Sequence, residues 1–373
     1  MKLRKYVALL IIIITTTFSF TSCYNYQDIN KVTFVTASIM DIDEDDNVLI
    51  YLECINPYRS TNESSDKGQK MIYVGRGKTY LEAIRDVNRT SAYKINFSQN
   101  RALIFTENAV TKGIKKHIDL INRDQEFLVK PYMFIYYGTV DSLLSYGQNK
   151  DEYLGLFLDE LTLKTKATPR VITENTNDYL TERLAGNGIA LMGGLKFKEE
   201  LGKSNLELFG GGILKNDTLV KNIDVEDTLS YNFLNDKVRT GTLEIKNPQA
   251  PNEFITLEIL KSKTKTDLEY DGERINLYKT VYLTVTIAES QHRLVIDDTV
   301  IEILKRNEIN NMKQFLNDVF NKYKNEGVDI FEIDRLLERK YPNLVLEDTI
   351  GITDLILNIK VDIEGATKIK NTY

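Results

Sequence analysis

Tryptophan is absent from the 373 residues, histidine and cysteine occur twice each, and proline six times. With His117 and His292 the only imidazoles, a His-rich metal centre or a His-based proton relay has nothing to be built from. Cys23 and Cys54 are too few for the disulfide framework that holds small secreted domains together. No apolar run reaches the ~20 residues that cross a hydrocarbon core. Positive charge is also short: 48 basic against 54 acidic residues give a net charge of −6, without the basic surplus of a nucleic-acid binder. What is there is ordinary for a globular chain, 42% hydrophobic and 27% charged, long enough for two or three domains. Composition alone names no activity.

The N-terminus carries more. Lys2, Arg4 and Lys5 precede the apolar run Val7 to Ile14, a basic region and short hydrophobic core of the kind found in export signals. Phe20-Thr21-Ser22-Cys23 resembles a bacterial lipobox, with Phe20 where Leu is usual, and marks Cys23 as the lipid-attachment residue. Each buried methylene of an acyl chain contributes about 0.8 kcal/mol, so a diacylglycerol, with or without a further N-acyl chain, would hold the protein at a membrane. Losing residues 1–22 removes three basic and no acidic residues, leaving a net charge of −9. Cys54 is then left without an intrachain partner.

Along the chain, apolar alternation predicts a hairpin of Lys31–Met40 and Val48–Ile55 around Asp43-Glu44-Asp45-Asp46-Asn47, then a strand at Lys70–Val74. Thr79-Tyr80-Leu81-Glu82 is a capping box opening a helix to about Ala92, with Leu81, Ile84 and Val87 on one face. Arg101–Phe105 and Leu128–Tyr137 read as strands, with a helix capped by Thr106, broken at Gly113 and resumed from Ile114 to Asn122. A helix at Asp151–Leu161 leads into a lightly structured region to about 205. Gly210-Gly211-Gly212 reads as a bend before a hairpin turning at Lys215-Asn216-Asp217. Strands follow at Thr240–Ile245, Phe254–Thr264 and Ile275–Ile287, the last two joined through Asp271-Gly272. A second capping box at Thr299–Glu302 starts a long helix ending near Gly327, with Ile301, Leu304, Met312, Leu316, Val319 and Tyr323 on its inner stripe. A helix at Phe331–Lys340 and a strand at Ile352–Ile363 close the chain. The pattern is α+β, with mixed sheets and flanking helices in three domains: a signal segment at 1–22, an N-terminal α/β domain at 23–147, a middle domain at 148–236 and a C-terminal α+β domain at 237–373.

Candidate chemistry is thin. Asp41 to Asn47 has the alternating acids of a calcium loop but not its glycine or its closing glutamate, so it reads as an acidic turn. Gly75-x-Gly77 and Gly186-x-Gly188 do not complete a dinucleotide fingerprint, and no phosphate-loop lysine motif occurs. His117 stands beside Lys115 and Lys116 on what reads as a solvated face, and His292 lies in a polar loop. No metal, cofactor or catalytic constellation is implied.

Taken together, the segments resemble the Ger(x)C family, the lipoprotein C subunits of nutrient germinant receptors in spore-forming bacteria. Cys23-Tyr24-Asn25-Tyr26-Gln27-Asp28-Ile29-Asn30 is similar to the family's mature start, with Tyr24 in place of Trp. Val35 to Asp41 and Ile55-Asn56-Pro57 match its first strand pair. Gly77 to Arg85, Ala102–Phe105, Ala109–Gly113 and Arg123-Asp124 follow the order of its first domain, with Asn100 where a His is common. Gly212-Ile213-Leu214 with Asp217 is like its middle hairpin, and Asp329-Ile330-Phe331 with Arg339-Lys340-Tyr341-Pro342 is like its C-terminal signature, lacking the Trp that often follows. The resemblance marks Asp28, Asn30, Gly113, Arg123, Asp124, Asp329 and Pro342 as motif positions; for Arg123 and Asp124 a purely structural reading, as an ion pair or loop cap, stands equally beside the motif role. It implies a non-catalytic, lipid-anchored protein on the outer face of the inner spore membrane. There it would work with two integral membrane subunits, one permease-like, in sensing amino acids, sugars or nucleosides. Two rivals are a solute-binding lipoprotein of an uptake transporter, which would show two similar lobes about a hinge, and a surface hydrolase.

Overall fold

The computed structural model describes residues 31–56, 69–123, 127, 130–149, 152–165 and 168–365, together with Arg4 and Tyr6. They build two sheets with flanking helices, an α+β architecture.

The first sheet begins as the sequence predicts. Strands β1 (Val32–Ile42) and β2 (Val48–Asn56) form an antiparallel hairpin, with β3 (Gln69–Gly77) on the outer edge. The acidic turn is held by one residue. The Asp43 carboxylate accepts the backbone N–H of Asp45 at 2.9 Å and of Asn47 at 2.8 Å, and also takes the Arg76 guanidinium. Burial opposes its charge, yet the bonds from Asn47 and Arg76 win and hold this carboxyl well below the usual range. On the other side of β1 come the short β4 (Lys94–Asn96), β5 (Ala102–Thr106), β6 (Tyr132–Tyr136) and β7 (Ile189–Glu200), all parallel. The sheet closes with β8 (Lys203–Lys215) and β9 (Thr218–Ile223), both antiparallel. The Gly147 boundary read from sequence lies inside a helix, and β7 to β9 extend the same sheet beyond it.

Alternate residues of the parallel strands face opposite cores, as the two-residue period requires. Leu103, Phe105, Met133 and Ile135 face α1 (Tyr80–Val87), α2 (Glu107–Lys112), α3 (Lys115–Arg123) and α6 (Thr176–Glu182). Ala102, Ile104, Phe134 and Tyr136 face α4 (Val140–Asn149) and α5 (Leu154–Thr165). Thr79 and Thr106 cap α1 and α2 as expected, but α1 ends at Val87 and buries Tyr80, Ala83 and Val87 while Leu81 is exposed. The helix is set by its i, i+3, i+7 triplet instead of the stripe through Leu81. The N-terminus of α5 is satisfied from far away: buried Glu53 on β2 accepts the N–H of Leu154 at 2.9 Å and of Gly155 at 3.3 Å, and the Thr36 hydroxyl at 2.7 Å.

The stretch to 205 is not lightly structured. It holds α6 and the long β7, whose Gly193 and Gly194 sit inside the strand. Gly210 to Gly212 likewise lie within β8 and are not a bend before it; a Cβ on Gly211 would stand 2.2 Å from the Met192 carbonyl oxygen of β7.

A helix absent from the sequence reading, α7 (Val225–Leu234), then crosses to the second sheet. Thr228 to Leu234 are all buried, so α7 has no polar face and hence no amphipathic period. The second sheet runs β10 (Gly241–Asn247), β11 (Ala250–Tyr270), β12 (Ile275–Ser290) and β13 (Thr353–Ile363), with β13 parallel to β12 after a crossover through α8 (Asp298–Asn325) and α9 (Ile333–Lys340). The α8 cap is Asp297, whose carboxylate accepts the Val300 N–H at 2.8 Å, two residues ahead of the capping box read at Thr299. Its inner stripe keeps Leu304, Met312, Leu316, Val319 and Tyr323 as expected, but Val300 is buried where Ile301 was expected and Ile301 is half-buried, and Glu308 and Phe320 join the stripe. Ile172, Leu191, Ile213 and Ile223 of the first half share one core with α7, α8 and the second sheet, so the two halves are packed together.

Candidate functional site

Of the motif positions, Cys23, Asp28, Asn30 and Asp124 lie outside the described residues. Gly113 ends α2 at φ +92°, open to glycine alone. There it seats the α2–α3 corner on the β8–β9 turn: the Ile114 N–H donates to the Asp217 carbonyl at 2.9 Å. Asp217 is buried and receives the Tyr179 hydroxyl at 2.9 Å and both arms of the Arg183 guanidinium. Two separate parts of the resemblance, Gly113 and the Asp217 hairpin, are thus brought into one contact. Arg123 is exposed and pairs with Asp119, one turn earlier, at 2.9 Å. Pro342 is exposed just past α9 and follows Tyr341, whose N–H donates to Leu337. Asp329 is buried, and its carboxylate accepts the N–H of Phe331 at 2.9 Å and of Asp334 at 3.0 Å, organising the turn into α9. Burial pushes this carboxyl up to about 7.

The histidines divide. His117 is buried beside Ile118 and Ile121 while Lys115 and Lys116 are exposed, so the solvated face read from sequence is overturned. The two lysines point out, and the helix turns the next residue inward. Burial, aided by Lys116, lowers its basicity. His292 is exposed, its Nδ1 3.3 Å from the Arg293 carbonyl oxygen. Asn100 is buried, donating to the Ser38 hydroxyl at 3.1 Å. Cys54 is free and buried in the core, and burial pushes its thiol up. Among the described residues, no group of three His, Cys, Asp or Glu is placed to hold a metal.

A half-buried charged cluster carries no signal in the sequence. Lys237, after α7, binds Glu174, stands 3.3 Å from Glu182 and meets the Tyr231 hydroxyl at 2.7 Å. Burial works against its charge, but Tyr231, Glu174 and Glu182 raise its pKa. The cluster floors an open cleft of about 660 Å³ between the two halves, with Asp178, Asn232 and Arg239 on its walls. These residues carry no mutual spacing signal, because two loops and two helices bring them together. Nothing in the cluster pairs a nucleophile with a base; it is built to join parts and to hold charge.

The arrangement has a solved counterpart. The crystal structure of the GerBC protein superposes with a TM-score of 0.57 at 15% identity, over 88% of this chain and 97% of that one. It defines the class: a two-sheet α+β fold of the GerBC kind. The spore germination protein N-terminal domain family matches residues 25–195, and the spore germination B3/GerAC-like C-terminal family matches 209–373. The chain is 23% identical to the spore germination protein GerQC of Bacillus cereus over 210 residues, 56% of this chain and 57% of that protein. It is 22% identical to the spore germination protein YfkR of Bacillus subtilis (strain 168) over 241 residues, 63% of this chain and 60% of that one. The matches thus span less than two thirds of either relative. The chain belongs to the Ger(x)C family of spore germination proteins.

Proposed function

We propose that the chain is the lipid-anchored, non-catalytic subunit of a spore germinant receptor, held on the outer face of the inner spore membrane beside two integral membrane subunits, one of them permease-like. The observation that carries this is the ordered match to both halves of the family, beginning at residue 25, two positions after the lipobox-like Cys23. Two or more acyl chains on Cys23 would make the anchor stable and raise the local concentration of the body for membrane partners. No helix among the described residues is long and apolar enough to cross a membrane; in this reading the acylated Cys23 supplies the anchor.

Cys23→Ala should move nearly all of the protein from the membrane to the soluble fraction of broken spores, as read by immunoblot. An unchanged membrane fraction would rule out the anchor. Mass spectrometry of the detergent-solubilised, tagged protein should recover two multi-spanning proteins; recovery of a transporter with a cytoplasmic ATPase would instead favour a solute-binding lipoprotein.

A further inference from the structure

The loop between α6 and β7, Arg183–Gly188, lies against the start of α9, and the Gly186 N–H donates to the Glu338 carboxylate at 3.1 Å. Beneath this contact is a cavity of about 30 Å³, room for a water molecule, lined by Glu182, Tyr231, Asp329, Glu332 and Arg335 among others. Carboxyls converge on the contact from both halves. Glu174 and Glu182 come from the first; Asp329, Glu332, Asp334 and Glu338 come from the second.

Cations are fewer. Lys237 faces Glu182 and Glu174, Arg335 pairs with Glu332 at 3.2 Å, and Arg183 is taken by Asp217. Lys279 on β12 is buried and donates to the Leu234 carbonyl at 2.8 Å, and the charges of Glu332, Asp329 and Asp236 act on it. Glu182 Oε2 is buried with no hydrogen-bond partner among the described residues. Glu332 is held at φ +63°, a left-handed backbone that a non-glycine residue adopts at a cost. The contact therefore combines an unpaired carboxyl oxygen, a strained residue and more acids than bases.

Burial, with Glu174 and Glu332 adding to it against Lys237, raises Glu182, and burial holds Asp329 at about 7. Burial lowers Lys279 to about 8. Over the same pH range the contact gains negative charge at Glu182 and Asp329 and loses positive charge at Lys279. All three changes raise its repulsion, in surroundings that screen charge poorly.

We propose that this contact is a proton-controlled latch: neutral Glu182 and Asp329 hold the Arg183–Gly188 loop against α9, and their ionisation releases it. The latch is a property of the fold and stands whether or not the chain works in a receptor.

Hydrogen exchange of the full chain in detergent, read by mass spectrometry and corrected for the intrinsic pH dependence of exchange, tests it. Protection of peptides covering 183–188 and 333–340 should fall at least tenfold between pH 6 and pH 8.5 in the wild type. Glu182→Gln should keep the pH 6 protection at pH 8.5. Glu308→Gln, changed in the core of the second half away from the contact, should lose protection as the wild type does. Flat protection in the wild type overturns the latch, and so does an undiminished loss in Glu182→Gln. Should Glu182→Gln not fold, Asp329→Asn is read in the same way on the 183–188 peptide alone, since its side chain retains an oxygen for the Phe331 N–H but loses the acceptor of the Asp334 N–H at the start of α9.

Discussion

Glu308 is buried on the α8 stripe between Leu304 and Met312, and neither of its carboxyl oxygens has a geometric hydrogen-bond partner among the described residues. Burial, with Glu244 adding and Asn311 opposing, pushes it up to about 8. The fold thus accepts its neutral form and penalises its charged form. For an acid so raised, the full contribution is present below the unfolded value of about 4.3, shrinks as pH climbs toward the folded value, and is constant above it. Glu308→Gln should therefore be more stable than the wild type by about 2–4 kcal/mol at pH 8 and equal to it near pH 4, as measured by urea unfolding at both values. An equal midpoint at pH 8 would show that Glu308 finds a partner. In sequence Glu308 is one charge among many, and its place on the buried stripe between Leu304 and Met312 shows only in the fold.

At the scale of elements, the legible parts were those whose signals are local. The Asp43 turn, the Thr79 and Thr106 caps, the break at Gly113 and the Asn216-Asp217 turn, both residues at positive φ, each depend on atoms within a few residues. Elements that take their support from elsewhere were missed or misplaced. The α5 helix is capped by Glu53 from about a hundred residues away, and α7 is buried all round. Gly113 shows how a local break becomes a tertiary contact. A Cβ there would stand 2.8 Å from the Thr218 hydroxyl at a φ closed to alanine. Gly113→Ala should lower stability by about 1–3 kcal/mol, read as a drop in the thermal midpoint. Adding Thr218→Ala should restore only part of it, since the backbone cost remains.

For the whole molecule, the two matched families meet at residues 195 and 209, inside the β7–β8 hairpin. The division seen in sequence is not a division of the sheet, which continues through β8 and β9. A fragment ending at residue 195 would leave the β7 edge unpaired and uncover Ala190 and Met192, which share a core with Leu214 of β8. Produced alone, it should aggregate or melt without a cooperative transition in circular dichroism, whereas the full chain should melt cooperatively. A sharp transition in the fragment would show that the first half folds without β8 and β9.

The family, the order of most strands and helices and the expectation of a lipid anchor at Cys23 were all readable from the chain alone. They rest on short motifs, two-residue and 3.6-residue periods, and turn and cap chemistry, all of which act between near neighbours. What only the tertiary structure decided is the joint: the all-buried α7, the Asp217 seat under Gly113, and the convergence of Glu174, Glu182, Lys237 and Asp329 from distant segments. Burial sets the charge of those groups, and burial is a property of the packed chain that no local pattern carries.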